Sequence, residues 1–454
     1  MSKIRIFYIG LLIVSLAVTF YDIKFVAHEG YKNLYILPLV FMFVMAIRFI
    51  YIPKGIVIKI IDLIYFTKFV ILSFLVVYSN WYEGRAVFPP QIESLNKALL
   101  FMVFEFLCVN IFYFFGLRKV DINIKENKLN LKIFDFNKDV IYKTYIIISL
   151  TFLIYNYKSI SILGMTHSEY TFESNQLTIF FNICLYISKY LILGYIIRYF
   201  YVKYSKKPKG ILIIYSLIIV LLICSVFIGT NRMDAVLPIL SIFVLMNYLY
   251  KKRMQIYNFI FPIFILLAIY TISVVRNTFS YQITDSKAAL ITDYIQIYIN
   301  GVYNTAISLE LNSISNNPIL TFTYDLIRPF LGLNFLWRSE TVKTSSEIFN
   351  YKIFGIENHV TQIIPLIGQF HLPFGIFGIP VYVFLITILL YIFLKFLSGI
   401  YIIEAMIILP LIFRLCITYF QNISIFINEL SSILIIFIVL KITSIGLRKL
   451  SEVK

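Results

Sequence analysis

The sequence predicts an all-α membrane protein with about twelve transmembrane helices and a large, partly helical outer loop between the ninth and the tenth. Hydrophobic residues make up 60% of the 454 residues and charged residues only 14%, and the mean hydropathy of +0.87 is far from that of a soluble domain. Apolar runs of about 20 residues recur, the length that a helix needs to cross a hydrocarbon core about 30 Å thick. They lie at 4–20, 34–52, 58–79, 98–117, 144–164, 178–200, 211–229, 235–250, 256–275, 374–397, 401–420 and 425–446. No small-residue cleavage site follows the first run, which predicts a helix and not a signal peptide.

The basic residues predict how the chain is oriented. With the N-terminus inside, the cytoplasmic segments carry most of them, including seven between 118 and 143. The outer loops before residue 276 carry five, Lys24, Lys32, Arg85, Lys97 and Arg232. This positive-inside bias puts both termini in the cytoplasm and 276–373 outside. The net charge of +17 is therefore mainly a topology signal. Segment 118–143 is either a loop attracted to anionic headgroups or a nucleic-acid patch, and the first is favoured, so no nucleic-acid partner is expected.

Several function classes are excluded by what the sequence lacks. Its four cysteines, Cys108, Cys184, Cys224 and Cys416, all fall within predicted spans, so neither a disulfide framework nor a CxxC metal pair is predicted. No P-loop, strand-linked GxGxxG, HExxH or EF-hand loop occurs. ATP hydrolysis, nicotinamide chemistry and zinc hydrolysis are therefore not expected, and the sequence predicts no cofactor and no metal site.

The chain divides into three predicted parts: a bundle of nine helices (1–275), an outer loop that forms the substrate site (276–373) and three closing helices (374–454). Uninterrupted loops longer than about 15 residues tend to be functional. All four histidines, His28, His167, His359 and His371, lie in segments predicted to face outward. The long loop adds arginines and carboxylates, namely Arg276, Arg328, Arg338, Asp293, Glu310, Asp325, Glu340, Glu347 and Glu357. Such a face suits a phosphate-bearing substrate delivered from the membrane.

Within the loop, the spacing predicts a helix over 288–309. Five polar residues recur at intervals of three and four and form one polar stripe: Asp293, Gln296, Asn300, Asn304 and Ser308. Apolar residues, among them Ile291, Ile295 and Tyr298, lie mainly on the opposite side. Either this is an interfacial helix with its polar side in water, or Asp293 and the carboxamides line a groove for sugar hydroxyls. Both interpretations predict a helix lying flat at the membrane surface.

Two later stretches of the loop carry further candidates. Tyr324, Asp325, Arg328 and Arg338 lie among aromatic residues. Arginine binds phosphate through a planar two-point fork, so the two arginines either hold a diphosphate or reach to lipid headgroups. The run Glu357-Asn358-His359 then opens a short apolar stretch, 360–370, which is too short to span. A short helix re-entering the bilayer edge is predicted there.

A few charged residues fall inside predicted spans, where they are costly and usually face the bundle interior. Arg414 and Glu429 lie at matching depths in neighbouring spans, which predicts an ion pair. Lys189 lies near the middle of its span and is expected either to pair with a carboxylate such as Asp62 or Glu105 or to reach a lipid phosphate.

The order of these features resembles the Wzy-type oligosaccharide repeat-unit polymerases, the O-antigen and capsule polymerases of bacteria. The resemblance rests on the turn Gly229-Thr230-Asn231-Arg232, on Arg276 at the start of the loop and on the Arg- and Trp-containing stretch 328–338. It also rests on Asn358-His359 and Gln369 leading to Phe374-Gly375-Ile376-Phe377-Gly378. Pro373 stands where the family often has Asp. The motifs cover roughly 200–400, and the topology covers the whole chain.

The resemblance implies a metal-independent glycosyltransferase at the outer face of the bacterial inner membrane. A glycan on undecaprenyl diphosphate would be passed to a new lipid-linked repeat unit, with a flippase and a chain-length regulator as partners besides membrane lipids. Diphosphate binding is assigned to Arg232, Arg276, Arg328 and Arg338, and the base to His359 or Glu357. Sugar binding is assigned to Asp293, Asn300, Asn304, Tyr324, Asp325 and His371, and His371 is also a candidate base.

Two other classes of protein remain open. An O-antigen ligase has a similar topology but transfers the finished glycan to the lipid A core. A flippase or another twelve-span transporter is the alternative that is not an enzyme. Transporters tend to have two similar halves, whereas no repeat relates 4–200 to 211–446 here, which favours the polymerase.

Overall fold

The computed structural model describes residues 3–51, 55–82, 84–117, 140–156, 160–162, 176–228, 233–275, 286–313, 317–333, 342–356, 362–397 and 402–452. Over these ranges the protein is helical apart from two three-residue strands. The α-helices are α1 (Lys3–Phe25), α2 (Ile36–Ile50), α3 (Ile56–Phe66), α4 (Leu72–Ser79), α5 (Ile92–Gly116), α6 (Val140–Tyr155), α7 (Gln176–Lys206), α8 (Gly210–Cys224), α9 (Met233–Tyr250), α10 (Ile260–Val275), α11 (Lys287–Ile299), α12 (Val302–Leu309), α13 (Pro318–Ile327), α14 (Ser345–Phe354), α15 (Leu366–Phe374), α16 (Gly378–Leu397), α17 (Ile402–Ile417) and α18 (Ile423–Glu452). A π-helical turn, Thr67–Ile71, joins α3 to α4. Strands β1 (Ile160–Ile162) and β2 (Val226–Ile228) pair antiparallel, with Ile160 opposite Ile228.

Eight helical stretches among the described residues are long and apolar enough to cross a membrane. They are Ile4–Phe25, Glu29–Ile50, Ile56–Ser79, Ile92–Gly116, Leu177–Lys206, Leu366–Leu397, Ile402–Phe420 and Ile423–Gly446. Two further apolar helices, α6 and α8, are shorter. Each of the twelve predicted spans overlaps a described helix, but eight stretches meet the requirements of length and composition, so the number twelve stays a prediction. The protein is therefore a helical, polytopic membrane protein.

Two compact units divide the chain. The first contains Met1–Ile122, Gln282–Leu394 and Leu415–Asn428, and the second contains Asn123–Tyr281, Lys395–Arg414 and Glu429–Lys454. The described part of the predicted outer loop thus packs with the first four spans, whereas the sequence suggested a part of its own. The three-part division into 1–275, 276–373 and 374–454 stays a prediction about function.

In the first unit, the helix predicted over 288–309 is two helices. Asn300 adopts a left-handed backbone (φ 54°) and ends α11, and Gly301 begins α12. The polar stripe faces inward, since all five of its side chains are buried. The interpretation that this side lies in water is therefore wrong. The exposed side of α11 is apolar instead, with Ile291 53% exposed.

Local sequence signals set the bounds of α13, α14 and α15. The Asn317 side chain caps α13, whose first residue is Pro318, because proline fits the first helical position. Thr344 and Glu347 form a reciprocal capping box on α14. The last of the three, α15, begins after Pro365 and ends at Gly375 (φ 58°), so the chain breaks before α16.

In the first unit, α12, α14 and α15 share a small hydrophobic core. It is formed by Tyr303, Ile307, Leu311, Ile348, Phe349, Ile353, Ile364 and Leu372, with Ala86 and Phe354 packed against it. Loop 80–91 joins this core, and the Val87 amide donates to the Ile353 carbonyl at 2.9 Å. The outer segment is thereby tied to the connection between α4 and α5.

The second unit contains α6 to α10, most of α17 and the later part of α18. Within it the predicted ion pair between Arg414 and Glu429 is confirmed. Gly194 of α7 lies so close to the Ile403 backbone that a Cβ there would be 2.8 Å from the Ile403 Cα. A side chain at position 194 would therefore force these helices apart.

Lys189 of α7 has a backbone partner in the second unit. Its ammonium donates to the Val226 carbonyl at 2.7 Å, while Asp62 lies 3.5 Å from Arg48 and Glu105 lies 2.9 Å from Lys68. Each of these two carboxylates thus has a cation of its own within the first unit, and the pairing of Lys189 with a carboxylate stays a prediction. The four cysteines are free and buried.

Candidate functional site

The first unit holds a buried arginine–carboxylate pair between loop 80–91 and α11. Arg85 lies in loop 80–91 and contacts Asp293 of α11, with Nε at 2.7 Å and Nη2 at 2.6 Å from Oδ2. The indole of Trp81 donates to Oδ1 at 3.3 Å. The side chains of Arg85 and Asp293 are 16% and 3% exposed. A buried carboxylate needs such partners, so this pair fixes α11 to the loop.

The rest of the polar stripe surrounds the break between α11 and α12. The Asn304 Nδ2 donates to the Gln296 carbonyl at 2.9 Å and to the Asn300 Oδ1 at 3.0 Å. Asn300 in turn donates to the Phe420 carbonyl at 2.7 Å. Among the residues that the structure describes, neither amide atom of Gln296 has a hydrogen-bond partner, although both are buried. Because a buried amide without a partner is unfavourable, Gln296 can accept and donate to a bound hydroxyl group or water.

A second carboxylate, Asp325, connects α13 to α14 and α15. It accepts from the Ser345 amide at 3.0 Å, from the Ser345 hydroxyl and from Gln369 Nε2 at 2.8 Å. Gln369 also accepts from the Ile423 amide at 2.9 Å, which links α15 to the start of α18. Burial raises the pKa of Asp325 to about 6, against the opposing effect of these hydrogen bonds.

Of the four arginines predicted to bind diphosphate, the structure describes Arg328, which lies at the C-terminal end of α13. Its Nη1 lies 2.8 Å from Glu347 Oε1, and its side chain is 50% exposed. It lies 5.6 Å from the centre of the Tyr324 ring. The hydrogen bond to Glu347 raises the pKa of Arg328. Although burial opposes it, the hydrogen bond from Arg328 and those from Thr344 keep the pKa of Glu347 below its ordinary value. Both side chains are therefore charged, and the Arg328 guanidinium stays accessible to solvent.

Two of the predicted sugar-binding residues lie on helices of the same region, Tyr324 on α13 and His371 on α15. Tyr324 is 4% exposed, beside Asp325. The His371 ring lies edge-on to Phe101, with ring centres 5.2 Å apart. The structure thus brings Tyr324, Asp325 and Arg328 together on one helix and Asp293, Asn300 and Asn304 around the α11–α12 break.

Five predicted site residues lie outside the described residues: Arg232, Arg276, Arg338, Glu357 and His359. Their roles stay predictions. Sequence reasoning missed Arg85, Trp81 and Glu347 as members of the two polar groups. Arg85 gave a signal, since it is one of only five basic residues in the predicted outer loops before residue 276.

Deeper in the first unit lies a buried ion pair that no sequence motif indicated. Lys68, in the π-helical turn, is 2.9 Å from Glu105 of α5, and their side chains are 1% and 0% exposed. Tyr382 donates to the other Glu105 oxygen at 2.6 Å, and Lys68 reaches the Tyr419 carbonyl at 3.5 Å. The pair is therefore enclosed by partners, as charges inside an apolar bundle require.

The first unit thus contains buried polar groups where helices of segment 282–373 pack against its apolar helices. Comparisons of the chain with protein-family models, with curated proteins and with solved structures found no match. The chain's own residues accordingly lead to one conclusion: it is a helical, membrane-embedded protein with buried carboxylate and carboxamide groups at one end of a bundle.

Proposed function

We propose that this protein polymerises undecaprenyl-diphosphate-linked oligosaccharide repeat units at the outer face of a bacterial inner membrane. The observation that carries the proposal is the packing of polar helices α11 to α14 onto spans of the same unit. This arrangement brings arginine, carboxylate and carboxamide groups next to apolar helices. A substrate with a lipid tail, a diphosphate and a glycan needs all of these environments at one place.

The reaction would be a glycosyl transfer. The bond between the anomeric carbon and the diphosphate oxygen of one lipid-linked glycan breaks, and the acceptor hydroxyl oxygen of a new repeat unit bonds to that carbon. The hydroxyl proton passes to a base, His359 or Glu357, and lipid diphosphate leaves. Arginine side chains stabilise the charge that gathers on the leaving group. The proposed cations are Arg232, Arg276, Arg328 and Arg338.

Arg328 fits the role of such a cation. Glu347 holds one end of its guanidinium and the Tyr324 ring lies beside it, so the planar fork is oriented before a substrate arrives. Half of the side chain is exposed, which leaves room for phosphate oxygens. The lysine ammonium lacks this planar fork.

The test uses the purified protein in proteoliposomes with lipid-linked repeat units, and product length is measured on gels. Arg232→Lys, Arg276→Lys and Arg328→Lys should each leave protein abundance unchanged and give mainly single repeats. Arg253→Lys is the matched control, because Arg253 is bound to the Pro208 carbonyl in the second unit. Long chains of normal distribution from the first three variants would refute the proposal.

The same preparation tests the base and the need for a metal. Polymerisation should continue in excess EDTA, because the arginines carry the leaving-group charge. At least one of His359→Ala and Glu357→Gln should lower the rate, by about 10²-fold for a lost general base. If both variants keep full activity, the base lies elsewhere, and His371 and Asp325 are the next candidates.

Two assays separate the alternative functions. A ligase would transfer the glycan to lipid A core and leave repeat units unextended. A flippase would move a labelled lipid-linked repeat across the bilayer without changing its length. The polymerase proposal expects extension of repeat units and no net transfer to lipid A core.

A further inference from the structure

The α11–α12 pair descends along a span of the first unit. Asp293, near the middle of α11, contacts Trp81 and Arg85, which lie beyond the end of α4. One residue earlier, the Thr292 hydroxyl lies 2.9 Å from the Ser79 hydroxyl and 3.2 Å from the Leu75 carbonyl. At the break, Gly301 packs on Leu72, so closely that a Cβ would be 2.6 Å from Leu72 Cδ2. From Ser79 to Leu72 is about 10 Å along a helix.

The chain then returns to the outer end along α12. Tyr303 packs against Gly84 of loop 80–91, where a Cβ would be 2.5 Å from the ring. Nine residues after Gly301, the Glu310 carboxylate accepts from the Gln91 amide at 2.9 Å, directly before the first residue of α5. Nine residues of helix rise about 13 Å, which is enough to recover the depth lost on the way down.

The backbone at the turning point is satisfied by protein groups. The Gln296 carbonyl accepts from the Asn300 amide at 3.0 Å and from Asn304 Nδ2. The Asn300 side chain closes the carbonyl of Phe420, the last residue of another span. A helix break inside a bilayer is tolerated only where the protein supplies such partners.

The outward side of α11 has the character of a lipid-facing surface. Ile291, Ile295 and Tyr298 follow one another at intervals of four and three, and none of them is fully buried. Helix α11 has two charged residues, Asp293 and Lys287. Lys287 is its first residue, a position from which a lysine side chain reaches lipid headgroups. Polar residues inside and apolar residues outside are the reverse of a helix that lies in water.

We infer that α11 and α12 form a re-entrant helical hairpin that enters the bilayer beside the span 56–79 and turns at Asn300 and Gly301, with lipid acyl chains against Ile291, Ile295 and Tyr298. This differs from the flat interfacial helix expected from the sequence. The inference is independent of the proposed glycosyl transfer, because it depends only on packing within the first unit.

The test is the depth of three nitroxide labels in liposomes. Ile291→Cys, Ile295→Cys and Tyr298→Cys are labelled one at a time in the full chain, and the four native cysteines are buried, so an unsubstituted sample gives the background. Collision rates with oxygen and with a water-soluble nickel chelate report depth. We expect oxygen to dominate at all three sites, with position 298 deeper than 291 by up to about 10 Å, the rise of seven helical residues.

Two reference labels calibrate the measurement. Leu100→Cys lies within the span 92–116 and is 64% exposed, so it represents a lipid-facing site. Glu93→Cys replaces an exposed side chain at the start of that span and represents the water boundary. Equal depth at 291, 295 and 298 would show a flat helix and overturn the inference, as would chelate collisions that match those at Glu93→Cys. Tryptophan at position 291 or 298, quenched by brominated lipids, repeats the test without labelling.

Discussion

At the residue scale, the pair formed by Arg85 and Asp293 joins loop 80–91 to α11. Its carboxylate is almost fully buried and accepts two hydrogen bonds, one from Arg85 Nε and one from the Trp81 indole. If one partner is removed, the other charge stays buried without a counter-charge. The resulting loss of stability is larger than the net stabilisation that the intact pair provides. The pair therefore has a structural role whatever the substrate is.

Arg85→Met should lower the free energy of unfolding by about 3–5 kcal/mol, the usual loss when a buried pair is broken. Asp293→Asn should cost less, since the Asn oxygen can still accept from Arg85. Thermal unfolding in detergent measures both. Glu93→Gln is the control, because it removes an exposed pair with Lys97 and should leave the midpoint unchanged. An Arg85→Met midpoint equal to that of Glu93→Gln would contradict the structural role.

Gln296 offers the opposite case, a buried amide without a hydrogen-bond partner among the described residues. Gln296→Met keeps the volume and removes the unpaired polar atoms, so we expect the free energy of unfolding without substrate to rise by about 1–3 kcal/mol. Asn304→Leu should lower it, because Asn304 makes two hydrogen bonds. A loss of stability in Gln296→Met would show that ordered water already satisfies the amide.

Asp325 should make stability depend on pH. Its pKa is about 6 in the folded protein against 3.8 in an unfolded chain, so the folded state holds an extra proton between these values. The free energy of unfolding should therefore fall by roughly 3 kcal/mol as pH rises through this window and stay level above it. The difference is measured by thermal unfolding of the wild type and of Asp325→Asn at intervals of about half a pH unit, from about pH 3.5 to about pH 7.5.

Glu347 has the opposite dependence and allows the two carboxylates to be separated. Its pKa lies below its ordinary value of 4.5, so its stabilising effect is present above that pH and is lost as pH falls through the folded value. Glu347→Gln should remove this acid-side loss and leave the Asp325 window in place. An unchanged profile in Asp325→Asn would mean that another group titrates there.

At the element scale, helix positions were predictable and their environments were not. Each predicted span overlaps a described helix, because an apolar run of sufficient length is a strong and local signal. The period of the polar stripe was also correct. Its direction was wrong, because period alone does not tell whether the polar or the apolar side faces the protein, and a helix among lipids reverses the usual rule.

The break at Asn300 and Gly301 was missed for a different reason. Asparagine and glycine are the residues that most easily take a left-handed backbone, yet the stripe continues through them in phase, so the period masked the signal. Pairs between distant segments, such as Arg85 with Asp293 and Lys68 with Glu105, depend on how spans pack. No spacing along one chain contains that information.

For the whole molecule, the two compact units do not follow the order of the sequence. The first unit takes spans from the beginning of the chain and from after the outer segment, and α18 begins in one unit and ends in the other. The second unit contains short apolar helices, among them α6 with 16 residues and α8 with 15. At 1.5 Å per residue these are about 24 Å long or less, shorter than an average hydrocarbon core.

The orientation of the whole chain is a prediction from its basic residues. We expect segment 276–373 to face outward and both termini to be cytoplasmic. A reporter that is active only outside the cytoplasm should be active when it is fused at Ser315. A reporter that is active only in the cytoplasm should be active when it is fused after Lys454. A cytoplasmic Ser315 fusion would reverse the orientation and remove the proposed site from the side where lipid-linked repeats are polymerised.

The π-helical turn at Thr67–Ile71 lets the span 56–79 contact one set of neighbours before the turn and another after it, although the two sets lie at different angles around the helix axis. Each residue advances an α-helix by about 100°, and a wider turn that takes in one extra residue resets the phase of everything after it. Before the turn, Asp62 points to Tyr8 and Arg48. After it, the Leu75 carbonyl and the Ser79 hydroxyl accept hydrogen bonds from the Thr292 hydroxyl. Deleting one residue from the turn would rotate the outer half and detach Thr292, while Asp62 kept both of its partners.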